Sequence, residues 1–472
     1  MLLGLDLGTT NVKAVVTEAD GRIVASASAP VSIDHRPDGG VEQSIDEITS
    51  AALSAMGEAA DGCEEAEIRA VGVSSQGGAL LIQTEGGEPA GPVISWLDSR
   101  GGPYDETITA ELGADWFAEH TGHGRSGLAI GQMLRLREEG GLPDRCRIGF
   151  VGDVVVSRLC GRAAHDRTNL SLAMLYNPSL DAPDPELLDR LGLSEERLPD
   201  LLPATATAGP LLAEVSLATG LPAGIPVAPA VHDQYAAALG CGAVRAGDVM
   251  FGAGTAWVLL ALSDTLAPPA IRDAYVCRHP AEGVYGQLVA LGTGGSAVSW
   301  ALRTLGLGED ADVDDIISRA PAGCDGLRCV PLFSNAGRSA GPGGRLAGMR
   351  LSHGPAHVLR AVVEGLACEL ATYLRLLEVA GVGASRLLMC GRAAQGDTVP
   401  QIISDVTALP VDCLEAADVS ALGAAVVARC LLEPRTPVAE ISRSMVPPSR
   451  SVVPGPGRAL YADVLQDYLR AA

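Results

Sequence analysis

The chain opens with the run LLGLDLGTTNVKAVV at residues 2–16. One apolar segment leads into a glycine–threonine–threonine turn and a second apolar segment leaves it, with Asp6 before the turn and Lys13 after it. Backbone amides in such a turn bind phosphate, and a carboxylate beside phosphates commonly organises Mg²⁺. We therefore interpret Asp6 as a magnesium ligand and Thr9, Thr10 and Lys13 as phosphate ligands. The alternative is an ordinary N-terminal hairpin with a tight turn.

A second turn of the same kind lies near the middle of the chain, in FGAGTAWV at residues 251–258. Apolar β-type segments flank Gly254 and Thr255 on both sides. The turn is not a dinucleotide fingerprint, because the third glycine is absent and no helix pattern follows. One phosphate turn in each half predicts a nucleotide held between two related domains.

Composition limits the class of protein. The chain has 472 residues and is 47% hydrophobic, which favours two to three domains. Its net charge of −23 argues against nucleic acid and anionic membranes as partners, although it leaves ATP possible. We expect no membrane span and no signal peptide. Eleven unevenly spaced cysteines indicate reduced thiols in a cytoplasmic protein, most of them buried.

The pattern of residues predicts mixed α/β structure. A helix is expected from about residue 44 to 60, and a long helix from about 355 to 380, where apolar residues recur at spacings of three and four. The segment 386–390 is expected to be a strand, and the proline-rich segment 447–457 a loop.

Asp233 lies where a predicted strand, residues 227–231, passes into a helix. At the C-terminal end of a strand in an open α/β domain, its carboxylate would face a ligand cleft and accept a proton from a substrate hydroxyl. The alternative is that Asp233 only caps the helix. On the same reasoning, His232 is expected to make a structural polar contact.

Two further groups suit ligands but have ordinary alternatives. Gln76, Trp96, Asp98 and Arg100 follow or neighbour an apolar strand and suit a hydroxyl-rich ligand, whereas the alternative is a surface loop with a half-buried tryptophan. Small residues in Gly391-Arg392-Ala393 and in ALGAA, residues 421–425, would let adenine approach the backbone. The alternative for these small residues is close helix packing.

Together these segments resemble the FGGY carbohydrate kinases of the actin/hexokinase superfamily. The similar segments, in chain order, are Asp6–Thr10, Trp96–Arg100, Asp233–Gly240, Gly247–Thr255, Gly295–Trp300, Arg360–Gly365 and Ala421–Ala425.

The resemblance implies an α/β chain of two actin-like (ribonuclease H-like) domains around a central cleft. Residues 1–243 would bind sugar, and residues 244–472 would bind nucleotide. The implied reaction transfers the γ-phosphate of ATP to a hydroxyl of a ketose or polyol. Domain closure would align the reacting groups, Asp233 would be the general base, and Asp6 and Asp233 would hold Mg²⁺.

The family's motifs also imply the remaining ligands. The sugar ligands would be Gln76, Gly77, Gly78, Trp96, Asp98, Arg100, His232 and Gln234. The nucleotide ligands would be Thr9, Thr10, Lys13, Gly254, Thr255, Gly295, Ser299, Gly391, Arg392 and Ala393. A cytoplasmic homodimer is the corresponding expectation for location and assembly.

The chain departs from the family at three places. Xylulokinases carry Gln-Met-His-Gly where this chain has QGGA at residues 76–79. It also has AGR at residues 336–338 where Gly-Glu-Arg is frequent, and Arg392 where a glycine is usual. A remodelled sugar pocket is therefore expected beside a retained phosphate-transfer core. Ketopentose, ketohexose, polyol and cyclitol remain open as acceptors. A non-catalytic sugar-binding regulator and an actin-like or chaperone-like ATPase remain the alternatives from other classes.

Overall fold

The structure is a computed structural model and describes residues 1–63, 68–143, 145–308, 310–333, 343–415 and 418–471. The strands are β1 Leu2–Leu7, β2 Asn11–Thr17, β3 Ile23–Pro30, β4 Asp34–His35, β5 Val41–Gln43, β6 Val71–Ser75, β7 Leu80–Gln83, β8 Val93–Ile94, β9 Arg147–Phe150, β10 Ala164–His165, β11 Tyr176–Asn177, β12 Ala182–Pro183, β13 Asp200–Leu201, β14 Gly209–Pro210, β15 Pro226–His232, β16 Asp248–Ala253, β17 Trp257–Ser263, β18 Tyr275–Arg278, β19 Tyr285–Ala290, β20 Arg328–Val330, β21 Arg345–Ala347, β22 Arg386–Cys390, β23 Val411–Leu414 and β24 Ser449–Val452. The helices are α1 Ile45–Asp61, α2 Gly102–Leu112, α3 Ala114–Thr121, α4 Ala129–Glu138, α5 Val151–Cys160, α6 Arg167–Leu172, α7 Pro185–Arg190, α8 Ala213–Thr219, α9 Asp233–Gly240, α10 Gly295–Thr304, α11 Val313–Ser318, α12 Pro355–Val379, α13 Thr398–Thr407, α14 Val419–Leu432, α15 Val438–Ser444 and α16 Arg458–Ala471.

The chain forms two compact units, each built from three segments. The first unit contains residues 1–245, 264–287 and 418–446, and the second contains residues 246–263, 288–417 and 447–472. The sequence analysis predicted two continuous domains divided near residue 244. In the structure, the later segments 264–287 and 418–446 belong to the first unit. The assignment of sugar to one half and nucleotide to the other stays a prediction.

The first unit is built on a mixed sheet with the strand order β13-β10-β15-β6-β1-β2-β3. A smaller sheet, β4-β5-β8-β7-β9, lies in the same unit. Helix α1 begins after Ser44, whose side chain accepts a hydrogen bond from the backbone N–H of Glu47 (3.3 Å), and its buried face packs on β2 and β3. The predicted helix at 44–60 matches α1 closely.

Helix α14 packs so closely on β1 and β6 that its backbone contacts the backbone of both strands. Gly4 and Gly72 face each other in the parallel register of these two strands. A Cβ on Gly4 would lie 1.9 Å from the carbonyl oxygen of Ala421, and one on Gly72 would lie 1.8 Å from that of Ala424. The small residues 421–425 are buried in this contact, so the structure shows them in the close helix packing that the sequence left as an alternative.

The second unit contains a sheet with the order β19-β17-β16-β22-β23-β24, and its long helix α12 packs against β20 and the helices α10, α11, α13 and α16. The Arg360 guanidinium bonds the Glu364 carboxylate (2.9 Å), the Tyr461 hydroxyl (3.0 Å) and the carbonyl oxygens of Ile317 and Ala320. Glu364 also accepts from the N–H of Gly323 (3.0 Å). The charged residues of the 360–365 segment therefore tie α12 to α11 and α16.

The expectation of a loop at 447–457 was wrong in part, because β24, Ser449–Val452, pairs antiparallel with β23 as the edge strand of the sheet. Prolines lie on both sides of β24, where an edge strand tolerates them. Because prolines are also typical of loops, their presence led to the prediction of a loop. The departure at 336–338 lies outside the described residues. Among the helices that the structure describes, none has the length and apolarity needed to cross a membrane. All eleven cysteines are described; they are thiols, ten of them buried, as predicted for most of them.

Candidate active site

The C-terminal ends of three neighbouring parallel strands meet at one edge of the first unit's sheet. Leu7 of β1 and His232 of β15 both pair with Ser75 of β6 in the parallel register. The segments that leave these strands begin with the threonine turn, Gln76 and Asp233. The register thus brings together three motifs that are far apart in sequence, at the kind of edge where open α/β sheets bind ligands.

Two carboxylates interact at this edge. Burial and, to a lesser extent, the negative charge of Asp233 raise the pKa of Asp6 to about 7, although a hydrogen bond of 2.7 Å from the Ser74 hydroxyl lowers it. Burial also raises the pKa of Asp233 to about 6, against a hydrogen bond of 3.1 Å that the Gln234 amide donates to Asp233 Oδ1. Near neutral pH this pair can exchange a proton or take up positive charge.

The raised pKa of Asp6 predicts a pH-dependent change in stability for Asp6→Asn. A carboxyl whose pKa is raised in the fold adds stability at low pH and loses it as pH rises from about 4 to about 7. Asn keeps an acceptor for Ser74 but has no charge. We therefore expect Asp6→Asn to raise the melting temperature more at pH 8 than at pH 5, measured by thermal unfolding with EDTA present. The exposed Asp115→Asn is the control, and an equal change for Asp6→Asn at both pH values would contradict the charge argument.

Lys13 forms an ion pair within the first unit. Its Nζ lies 2.7 Å from Oδ1 of Asp418, the residue that precedes α14, and both side chains are partly exposed. The sequence analysis did not single out Asp418, because an aspartate before a helix gives no local sign of a partner 405 residues away. Lys13 is thus placed near the carboxylate pair, as its electrostatic effect on Asp6 shows.

Thr9 and Gln76 belong to one hydrogen-bond network. The Thr9 hydroxyl donates to Gln76 Oε1 (3.1 Å) and accepts from the indole Nε1–H of Trp96 (3.0 Å). Gln43 completes the network, since its amide donates to the Thr9 carbonyl (2.9 Å) and its Oε1 accepts from Gln76 (3.2 Å). The Trp96 side chain is 45% exposed beside this network, so the structure brings the predicted indole next to the turn. Gln43 was missed, because one polar residue at the end of a short strand carries no pattern.

Asp98 and Arg100 are held within the fold. The Asp98 carboxylate is fully buried and accepts hydrogen bonds from the N–H groups of Val41 and Arg100 (both 2.9 Å) and from the amide of Gln132 (2.9 Å). Burial alone raises the pKa of Asp98, but these bonds and that from the Arg100 guanidinium lower it overall. Arg100 also lies 2.8 Å from Glu42. The structure gives these two side chains a role in shaping the loop that carries Trp96; a sugar contact from them stays a prediction.

The second unit brings its own predicted nucleotide residues together. Gly252 and Cys390 pair in parallel, so the turns that follow β16 and β22 lie side by side. The N–H of Gly295, at the start of α10, donates to the carbonyl of Gly254 (3.1 Å). A Cβ on Gly295 would lie 2.4 Å from that oxygen, and one on Gly391 would lie 2.9 Å from the carbonyl oxygen of Ala253. Glycine is needed at both places for this close approach.

Of the nucleotide ligands predicted in the second unit, Thr255, Ser299 and Arg392 have exposed side chains. Ser299 is on α10, and Arg392 begins the short 3₁₀ helix Arg392–Gln395, so both are carried by elements adjoining the turns. Their contact with a nucleotide stays a prediction, as does that of Ala393.

Asp6 and Asp233 fit Mg²⁺ as a pair. Within the described ranges, no group of three histidine, cysteine, aspartate or glutamate side chains is arranged to hold a metal ion. Mg²⁺ commonly uses one or two carboxylates and completes its coordination with water and substrate phosphates. Burial is the main cause of the raised pKa of Asp6, and the charge of Asp233 adds to it; a divalent cation would offset both effects.

Comparisons with known proteins cover nearly the whole chain. The model for the FGGY family of carbohydrate kinases, N-terminal domain, matches residues 1–240, and that for the C-terminal domain matches residues 249–431. A glycerol kinase of Symbiobacterium thermophilum is 29% identical over 451 residues, covering 90% of this chain and 89% of the relative. An L-fuculokinase of Salmonella typhi is 27% identical over 448 residues, covering 90% of this chain and 91% of the relative.

A solved structure is also similar along its full length. The xylulose kinase of Rhodospirillum rubrum superposes with a TM-score of 0.90 at 25% identity, covering 99% of this chain and 97% of the other. The three proteins named here differ in the acceptor that their names state.

Proposed function

Because this chain belongs to the FGGY family of carbohydrate kinases, we propose that it transfers the γ-phosphate of ATP to a hydroxyl of a ketose or polyol, with Asp233 as general base. The predicted family and the α/β fold with two domains are confirmed. The chain is a carbohydrate kinase, a phosphotransferase with an alcohol acceptor, and kinases of this family use ATP. The acceptor, the roles of individual residues and Mg²⁺ belong to the proposal.

The observation that carries the proposal is the position of Asp233. Its carboxylate lies at the end of β15 and in the first turn of α9, next to the carboxylate of Asp6. Burial raises its pKa to about 6, which suits a base that is ionised at neutral pH yet still able to hold a proton. A helix cap alone would need neither the second carboxylate nor the raised pKa.

The proposed step needs little from the protein beyond position and charge. Asp233 accepts the proton of the substrate hydroxyl while the oxygen forms a bond to the γ-phosphorus and the bond from that phosphorus to the ADP oxygen breaks. Lys13 and the backbone amides of the Thr9–Thr10 turn neutralise phosphate charge in the first unit. Asp6 and Asp233 would hold Mg²⁺, which supplies further positive charge to the phosphates when bound.

The residues around Thr9 support a polyhydroxy acceptor. The exposed indole of Trp96 offers an apolar face of the kind that packs against a sugar ring or carbon chain, and the hydroxyl and amide groups of Thr9 and Gln76 provide polar contacts. We propose binding of the adenine nucleotide at the second unit's turns around Gly254, Gly295 and Gly391, which close backbone contacts bring together. A homodimer and a cytoplasmic location stay predictions.

An acceptor screen tests the proposed function. Purified protein is incubated with Mg-ATP and each of a set of ketopentoses, ketohexoses, polyols (glycerol included) and cyclitols, and ADP release and the phosphorylated product are both measured. We expect one acceptor class to stimulate ADP release strongly and to yield a phosphate ester. Acceptor binding without turnover would instead support a regulator, and ATP hydrolysis indifferent to every acceptor would support an ATPase; either result overturns the proposal.

A further inference from the structure

The backbone at position 77 is in direct contact with the imidazole of His232. A Cβ on Gly77 would lie 2.6 Å from His232 Cδ2, 2.9 Å from His232 Nε2 and 2.6 Å from Leu172 Cβ. Gly77 does not have a positive φ, unlike Gly78 with φ +73°. Glycine at 77 is therefore needed for the space that it leaves and not for an unusual backbone conformation. That space is filled by a side chain from the neighbouring strand.

The His232 ring is fixed from several sides. Its residue is 5% exposed, and its backbone N–H donates to the Thr168 hydroxyl (2.9 Å), which itself donates to Asp166 Oδ1 (2.5 Å). The ring also lies edge-on to Tyr235, with centroids 6.2 Å apart. Because β15 is anchored through Thr168 and the ring is packed against Gly77 and Leu172, the imidazole has little freedom to turn.

The fixed ring lies beside the proposed base. His232 Nε2 is 3.2 Å from Asp233 Oδ1. In a neutral imidazole, the adjacent carboxylate favours the tautomer with its proton on Nε2. The Gln234 amide approaches the same oxygen, Oδ1, at 3.1 Å. The side-chain nitrogens of His232 and Gln234 thus both lie at Oδ1, so we assign Oδ2 to the substrate hydroxyl.

We propose that His232 is a positioning residue that orients the Asp233 carboxylate, and that Gly77 is the residue whose missing side chain makes room for it. The inference rests on the proposed function, since it assigns His232 to the orientation of the base. His232 and Gln234 hold Oδ1, and Oδ2 takes the proton from the acceptor. The departure at Gly77 and the histidine before Asp233 then form one linked arrangement, in which a larger residue at 77 would require His232 to move.

A double-mutant cycle tests this link. His232→Ala, Gly77→Ala and the double variant are compared with wild type for kcat and for KM of the acceptor and of ATP. Because misplacement of a reacting group by about 1 Å can cost about 10²-fold, we expect each single variant to lower kcat about 10- to 100-fold with little change in KM for ATP. The two losses should not multiply in the double variant, because the added Cβ then meets Leu172 but no longer the ring. His232→Gln, which keeps a side-chain N–H donor, should recover part of the lost kcat.

A control variant and a second readout separate the possible failures. Gly91→Ala is the matched control, since a Cβ there meets no described atom within 4 Å, and it should leave kcat unchanged. Thermal unfolding of the same variants should show Gly77→Ala destabilising the wild type more than the His232→Ala background, where only the contact with Leu172 remains. The positioning role is overturned if His232→Ala keeps kcat within about twofold, or if the two losses multiply as for independent sites. A wild type that turns over no acceptor overturns the proposed function itself, and with it the positioning role.

Discussion

Asp233→Asn is expected to reduce kcat/KM for acceptor-dependent ADP release by about 10²-fold or more. The amide has nearly the shape of the carboxylate, so the neighbours at Oδ1, His232 and Gln234, can remain in place. It cannot accept the proton of the acceptor hydroxyl, because an amide oxygen is a far weaker base than a carboxylate. The measurement is initial-rate kinetics at saturating ATP with the acceptor that the screen identifies.

Stability and pH dependence distinguish loss of the base from loss of the fold. Because burial raises the pKa of Asp233 to about 6, the ionised carboxylate costs stability above that pH, and Asp233→Asn should melt at the same temperature as wild type or higher. The wild-type kcat/KM should rise with pH through about 6, as the base loses its proton, and this limb should be absent in the variant. Asp115→Asn replaces an exposed aspartate in the first turn of α3 and serves as the activity control. Activity of Asp233→Asn within about tenfold of wild type would show that Asp233 is not the base.

Local pattern was sufficient to predict the elements that carry the site. The hairpin of β1 and β2, the strand β22 at Arg386–Cys390 and the long helix α12 at Pro355–Val379 all lie close to where their periodicity placed them. Each has a clear apolar pattern and a distinct end, such as the proline that begins α12. That Asp6 and Asp233 act together was implied by the family resemblance, and the parallel register of β1, β6 and β15 brings Asp233 and the threonine turn to one edge of the sheet.

Contacts between residues far apart in the chain could not be predicted from the local sequence pattern. Asp418, the partner of Lys13, and Gln43, the partner of Thr9 and Gln76, are single polar residues with no periodic signal. Trp96, Asp98 and Arg100 were predicted as sugar ligands, which stays a prediction; the structure adds that Asp98 accepts several hydrogen bonds from within the first unit. Sequence identifies residue types suited to a ligand; only the fold shows which of them already have partners.

The last segment of the first unit depends on the paired glycines Gly4 and Gly72, and Gly72→Ala is expected to be strongly destabilising. The new Cβ would lie 1.8 Å from the carbonyl oxygen of Ala424 and 2.9 Å from the backbone N of Ala428, both on α14. These contacting atoms belong to the backbone of a buried helix and cannot move aside as the end of a flexible side chain can. Helix α14 must therefore move away from β6 and lose its packing. Overpacking of this kind costs about 3 kcal/mol or more, a fall in apparent melting temperature on the order of 10 °C.

Gly91→Ala is the control for that prediction, because the same substitution there enters open space among the described residues, and its melting temperature should stay within about 2 °C of wild type. Thermal unfolding monitored by circular dichroism provides both values. If Gly72→Ala and Gly91→Ala have the same melting temperature, the backbone of α14 does not pack directly against β6. A large difference between the two would show that the segment 418–446 is held to the first unit by glycine-dependent packing. The small residues of 421–425 would then be required for the fold that carries Asp6, independently of any nucleotide.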